Sequence, residues 1–534
     1  VPVRQSATIP FSRGINAAAR ARDIDPRECT RGENFALDLD FGGWRRRKPY
    51  DLVATTTNGG RINGFAQLVK SDGTITTLVQ SNEVVYSWDG ASTFTSVGTV
   101  STSARLRGHK DQIWTLDDVV IITDLAKVET VKTWNGTTLA TMTENLTGDF
   151  IAKYCFVENE VAYFGNVNIN AVDTPHVFLA SARGDYTDLD SSTRALLTTN
   201  QSDPWFLPVP DFRPINGLED AFGKILVSTE RGRLYQLIGT SSFDYELVPM
   251  FSGSNAAGDE AIVNIGNDIV VGRAANIDAL SGVQNFGDVE TDDLDRWIHP
   301  LIEDVTQWTM VYNPTVHKIY CFPKDRSECW VLHKSILIQK DGSPWSKWTT
   351  TEALDFQPTT VMQLRRPSDG VEVVYMGGAD GKIYEMEGSG DQDGGTTDIS
   401  SSRTSGIIDP PRDPNTNNEL VFGADGFVDF RRLADNSLEL TFQHGGVNFF
   451  DQAITIPIED SADFAVYDAG TSSSVYYDEA GNGPSSYYGT GGQDRTARKT
   501  FSGAGQSSSF AVKAKITGST EFEIDQIGLN FSQT

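Results

Sequence analysis

Cysteine and histidine are scarce in this chain. Cys29, Cys155, Cys321 and Cys329 are spread over 534 residues, too few and too scattered for a disulfide framework or a zinc set. Cys321 and Cys329 flank a turn at 323–327 and stand where a hairpin would bring them opposite one another; otherwise all four read as free buried thiols. The six histidines, His109, His176, His299, His317, His333 and His444, fall in no metal-ligating spacing. Neither a Gly-x-Ser-x-Gly elbow nor a Gly-x-x-x-x-Gly-Lys phosphate loop is present. No apolar run approaches the roughly 18 residues of a membrane span, and the opening Val1-Pro2-Val3-Arg4 is no signal peptide. The expectation is a soluble protein made in a reducing cytoplasm, without metal, cofactor or membrane insertion.

Positive charge is also in short supply. Lys and Arg number 44 against 72 Asp and Glu, a formal net charge of −28. Such a chain repels nucleic acid and anionic membrane, so any DNA partner is passed along rather than gripped. Helical apolar spacing is missing too, except over 15–24, where an Ala-Ala-Ala-Arg-Ala-Arg run predicts one short helix.

What is present is strand and turn chemistry with a long period. Tyr86-Ser87-Trp88-Asp89-Gly90 and Thr133-Trp134-Asn135-Gly136 are apolar-polar-apolar runs closed by turn dipeptides. Gly232-Arg233-Leu234-Tyr235-Gln236-Leu237 and Gly381-Lys382-Ile383-Tyr384-Glu385-Met386 repeat one pattern more closely. With weaker copies at Phe178, Asp278 and Val331, the markers recur about every 49 residues, the period of β-propeller blades. The fold class expected is all-β: a propeller of about seven blades (six to eight), a C-terminal β-sandwich or platform, and a short N-terminal arm.

The domains follow from composition: 1–60 the arm, 61–390 the propeller, 391–418 a Gly-, Asp- and Pro-rich linker, and 419–534 the sandwich. Asp72-Gly73 joins two strands of the first blade as a hairpin. In the last domain Phe510, Val512, Ala514 and Ile516 alternate with polar residues, as half-buried antiparallel strands do. Residues 472–492, rich in Ser, Tyr and Gly, read as a loop.

Three clusters are candidate sites. Trp44-Arg45-Arg46-Arg47-Lys48 places four consecutive cations in an acidic chain, either a solvated or intersubunit salt-bridged face or a phosphate contact. Trp205, Phe206 and Phe212 crowd a Pro-bearing excursion, as a docking loop or as one folded back on its own blade. Asp288, Glu290, Asp292, Asp293 and Asp295 invite calcium but lack its loop spacing, which favours a solvated loop. No catalytic set converges. Two alternatives remain open: a glycan-binding propeller with Trp205, Phe206, Trp345 and Trp348 as stacking faces, and a propeller glycosidase with an axial pocket of acids and aromatics.

Gly14-Ile15-Asn16, Ile24-Asp25, Asn34, Gly42-Gly43 and Arg46-Arg47-Lys48-Pro49 resemble the N-terminal segment of tail hub, or nozzle, proteins of short-tailed bacteriophages. Tyr50 stands where that family's turn closes on glycine. Gly381-Lys382-Ile383-Tyr384 and Ile524-Asp525-Gln526-Ile527-Gly528 resemble its last blade strand and its final strand pair. The resemblance implies a structural virion protein of the tail and not an enzyme, assembled in the bacterial host cytoplasm. It implies a homohexameric ring at the distal end of the tail, contacting the tail adaptor and the fibres. Genomic DNA would be ejected through the ring without specific binding. The arm and the sandwich are the expected ring contacts, with propeller loops turned outward for fibres.

Overall fold

The computed structural model describes residues 4–37, 43–190, 204–221, 223–230, 233–239, 244–252, 256–266, 268–281, 290–339, 342–351, 355–409, 421–432, 436–444, 447–448, 454–458, 497–502, 510–517 and 523–532. Among the described residues, seven blades, each of four antiparallel strand positions, surround one axis, with blades 1 and 2 joined by a short parallel pairing of Phe65–Ala66 with Arg107–Gly108. Blade 1 is Ile62–Val69, Ile75–Ser81, Val84–Trp88 and Phe94–Thr99; blade 2 is Leu106–Gly108 with Ile113–Trp114, then Val119–Asp124, Lys132–Trp134 and Leu139–Thr141. Blade 3 is Phe150–Glu158, Val161–Ile169, Val172–Ala180 and Trp205–Pro208; blade 4 is Ile215–Ala221, Lys224–Thr229, Arg233–Ile238 and Glu246–Ser252. Blade 5 is Ile262–Asn264, Asp268–Arg273, Asn276–Ser281 and Glu290–Asp293; blade 6 is Trp308–Asn313, Lys318–Pro323, Cys329–His333 and Trp345–Trp348.

Blade 7 closes the ring with both parts of the chain. Thr360–Arg365, Glu372–Gly377 and Lys382–Glu385 are joined by Asp51–Thr55, the outermost strand, from the N-terminal side. Gly381 lets the last turn form: its φ is +78°, and a Cβ there would stand 2.6 Å from the backbone of Gly59. All seven repeat markers, Trp88, Trp134, Phe178, Tyr235, Asp278, Val331 and Tyr384, lie on the third strand of a blade and are buried. The period therefore reports where each sheet packs against its neighbours, which is where a blade needs large side chains.

The second body is a sandwich of two six-stranded sheets. One runs in the order Phe35–Leu37, Trp44–Arg46, Glu523–Ser532, Val421–Arg432, Ala497–Ser502, with Arg4–Ile9 also paired to Glu523–Ser532. The other runs Arg31–Glu33, Ser401–Thr404, Ala511–Thr517, Asn436–His444, with Val447–Asn448 and Ile454–Ile458 paired to Asn436–His444. Phe510, Val512, Ala514 and Ile516 point inward with Leu438, Leu440, Phe442, Ile527, Leu529 and Phe531. The N-terminal arm is thus built into the sandwich, and the stretch read as linker supplies one of its strands.

Residues 15–24 form no helix. Ile15 bridges Cys29, its N–H donates to Trp345 O at 2.9 Å, and Ala17 N–H donates to Trp297 O at 2.8 Å. Ala19 N–H, the first that a helix from Ile15 would bond internally, goes instead to Asn16 Oδ1 at 3.1 Å, so distant and local partners override the helical propensity. Among the described residues the helices are short: His299–Ile302, Lys334–Gln339 and a 3-10 turn at Lys110–Gln112. Cys321 and Cys329 are free, and register pairs Cys321 with Trp330 rather than Cys329. Neighbouring residues on a strand face opposite ways, so the two thiols enter separate packing clusters. The loop reading for 472–492 lies outside the described residues.

Candidate functional site

The basic cluster is mostly interior. Trp44 is fully buried and its indole N–H donates to Ser401 Oγ at 3.1 Å. Arg45 pairs with Glu523 at 2.6 Å across the strand pair, and the buried Arg46 lies 3.7 Å from Asp391. Only Lys48 is exposed. Arg47 forms a two-pronged pair with Asp393, both side chains 1% exposed. It also donates to Asn34 Oδ1 (2.9 Å) and Thr349 O (3.0 Å), and lies against the rings of Trp348 and Phe356. The readings of this stretch as a surface patch or a phosphate contact therefore fail at Trp44, Arg46 and Arg47. The four consecutive cations gave no sign of this, because the compensating acids are hundreds of residues away.

These residues form a weld between sandwich and propeller. Gly14 N–H donates to Ser343 O and Asn34 N–H to Lys347 O, so the N-terminal segment runs along the outer strand of blade 6. A Cβ on Gly14 would lie 2.2 Å from Trp345 O, so only glycine permits this approach. Trp348 Nε1 donates to Phe35 O at 3.0 Å. Arg403, fully buried, donates to the carbonyls of Phe11 and Arg13 and lies over the rings of Phe11 and Phe35. Trp345 and Trp348 are fully buried in this weld and offer no stacking face for a sugar. They read as exposed because their covering segment comes from the far end of the chain.

The aromatic excursion divides. Trp205 is buried, stacked on Tyr245 at 4.6 Å, whereas Phe206 and Phe212 are 46% and 68% exposed at the outer edge of blade 3. Phe212 leans on His176 with centroids 5.5 Å apart. Of the acidic run, Asp295 is buried and lies 2.9 Å from His299, while Asp293 is exposed. Asp288 lies outside the described residues. Among the described residues no three His, Cys, Asp or Glu converge as a metal-binding group.

Sequence reasoning missed the propeller axis. Arg105 and Arg107 from blade 2, Lys153 and Tyr154 from blade 3, and Asp259 and Glu260 ahead of blade 5 meet there. Lys153 donates to Asp259 at 2.7 Å, Tyr154 OH to the same oxygen at 3.2 Å, and Arg107 holds Glu260. Burial would raise the Asp259 carboxyl, but Lys153, then Lys324 and Arg105, outweigh it and hold it below the ordinary carboxylate range. Burial first, and the Asp259 charge next, push the Tyr154 phenol well up, so it stays protonated. The network ties blades together and presents no activated nucleophile.

At one end of the axis lies a cavity of about 100 Å³ containing Asp111, Glu219, His109 and Tyr312. Burial, reinforced by the Asp111 charge, pushes the Glu219 carboxyl well above its ordinary range. For Asp111 burial also raises, but the His109 hydrogen bond and charge prevail and lower it. A raised carboxyl supplies stability that is whole below the ordinary glutamate pKa and is lost as pH climbs through the folded value. Glu219→Gln is therefore expected to leave the melting temperature unchanged near about pH 4 and raise it near about pH 8. An unchanged or lower value at the higher pH in thermal scans would contradict the assignment.

No protein-family model matches the chain, and no curated protein matches it. Solved structures do resemble it. The extracellular domain of BT4673 from B. thetaiotaomicron is 11% identical over 64% of this chain, with a TM-score of 0.41; the chain spans 40% of that protein's length. A catalytically inactive virginiamycin B lyase from Staphylococcus aureus with quinupristin is 9% identical over 62% of this chain and 96% of its own, TM-score 0.41. The WD40 domain of Toxoplasma gondii coronin is 9% identical over 67% and 86%, TM-score 0.37.

Proposed function

We propose that the chain is the hub or nozzle subunit of a short phage tail, a structural virion protein of which six copies close into a ring. One observation carries the reading. The stretches that carry the family resemblance at the two ends of the chain meet in space: a Cβ on Gly43 would lie 2.7 Å from Ile524 O, the strand that follows it pairs Trp44 with Ile524, and Gly14 and Asn34 fix the same module to blade 6. Motifs more than 470 residues apart thus make one platform on one propeller, a unit suited to a heterologous ring contact. The ring's lumen, not the ion-paired propeller axis, is the path for DNA. The chain's net charge of −28 keeps phosphate from adhering along that path.

In this arrangement the sandwich faces make the ring contacts and the tail adaptor sits above. Phe206 and Phe212, exposed on blade 3, are the first candidates for a fibre contact. The protein resides in the virion tail after assembly in the host cytoplasm. Among the described residues no helix is long and apolar enough to cross a membrane. Light scattering on the purified chain tests the reading: six copies of a 58.4 kDa chain give roughly 350 kDa. A monomer at every concentration and in the presence of adaptor would reject it.

One observation favours the glycosidase alternative: Asp111 and Glu219 are pushed in opposite directions at one axial end, the pattern of a base and an acid. Its cavity of about 100 Å³ is too small for a sugar ring, since small-molecule sites begin near 300 Å³. The structural reading stands ahead of it.

A further inference from the structure

The opposite end of the axis opens into a larger cavity, about 460 Å³, within the range of small-molecule sites. Arg61, Arg105 and Lys324 line it, with Glu260 the one carboxylate among its described lining residues and Asp259 beside it. They come from the starts of blades 1 and 2 and from the turn after the second strand of blade 6. Glu260 is already held by Arg107. Arg105 reaches Asp259 at 3.6 Å and Glu260 at 3.4 Å, both longer than a strong charge-assisted hydrogen bond, which leaves N–H groups of its fork to spare. Arg61 and Lys324 are exposed and make no ion pair among the described residues.

Three cations converging on one cavity are costly in self-repulsion, and in this chain acids outnumber bases by 72 to 44. Other cations of the chain sit directly against a carboxylate, as Arg47, Lys153 and Lys318 do. From this contrast we propose that the axial mouth is a binding site for a small multivalent oxyanion, a polycarboxylate or phosphate. Arg61 and Lys324 supply charge from the rim, and Arg105 supplies directed N–H donors from the floor. Thr309 and Phe322 form the wall between them. The site is independent of the ring proposed above, since every residue named belongs to one copy.

The test uses the full chain with citrate and with inorganic phosphate as probes, at constant ionic strength set by sodium chloride. Calorimetry and thermal scans are run on the wild type, on Arg61→Ala, on Lys324→Ala and on the double variant. Arg61→Ala removes an exposed charge and should leave the ligand-free melting temperature in place, whereas Lys324→Ala also removes a charge that favours the ionised Asp259, so each variant's ligand response is read against its own ligand-free value. The expected result is one site per chain with a dissociation constant below about 1 mM, weakened at least about tenfold in the double variant. A larger effect of citrate than of phosphate would identify a carboxylate ligand, and the reverse a phosphate. Binding that is equal in wild type and double variant, or a response no greater than that to chloride, would overturn the proposal.

Discussion

Asp393→Ala is expected to destabilise the protein by about 3–5 kcal/mol, because it strands the Arg47 guanidinium in the interior. Both members of the pair are 1% exposed, and water cannot reach the cation once its partner is gone. Arg47 would keep the carbonyls of Lys48 and Thr349 and the amide of Asn34, but none of these carries charge. Asp393→Asn keeps one acceptor and should fall between. A paired replacement, Arg47→Met with Asp393→Leu, should recover most of the loss, since two apolar groups leave no buried charge. Urea unfolding of the four proteins measures this. A loss under about 1 kcal/mol for Asp393→Ala would mean that the pair is solvated and the weld loose.

Removing residues 1–48 has the other large effect. The truncation takes three strands from one sandwich sheet, Arg4–Ile9, Phe35–Leu37 and Trp44–Arg46, and Arg31–Glu33 from the other, but spares Asp51–Thr55, which closes blade 7. Glu523–Ser532 loses two of its partners, and a strand edge so exposed neither holds nor resists protease. The expected outcome in limited proteolysis is a resistant fragment spanning about 51–390 and rapid digestion of the rest. In light scattering the truncated chain should no longer form rings. A sandwich that resists protease, or rings that persist, would remove the arm from its proposed role.

The propeller was legible because its signal is local and repeated. The third strand of every blade carries a buried marker, a large aromatic at Trp88, Trp134, Phe178, Tyr235 and Tyr384 and smaller residues at Asp278 and Val331, spaced on average about 49 residues apart. Alternation at Phe510, Val512, Ala514 and Ile516 likewise reports a two-sided strand, whatever its partners. What escaped was every feature set by distant partners. Arg47 and Asp393 are 346 residues apart, and Thr30 and Thr404 are 374 apart; no window of sequence holds both. The predicted helix at 15–24 failed for the same reason, since Trp345, Cys29 and Trp297 hold the backbone of 15–18 against distant elements. The axial cluster gathers residues from different blades that share no motif.

The most direct measurement is negative-stain imaging of the full-length protein at the concentration where its mass is greatest. The account predicts class averages with six-fold rotational symmetry, a central channel and seven-bladed propellers arrayed around it. Particles that stay single, each a propeller with one attached sandwich, with or without the adaptor, would contradict it.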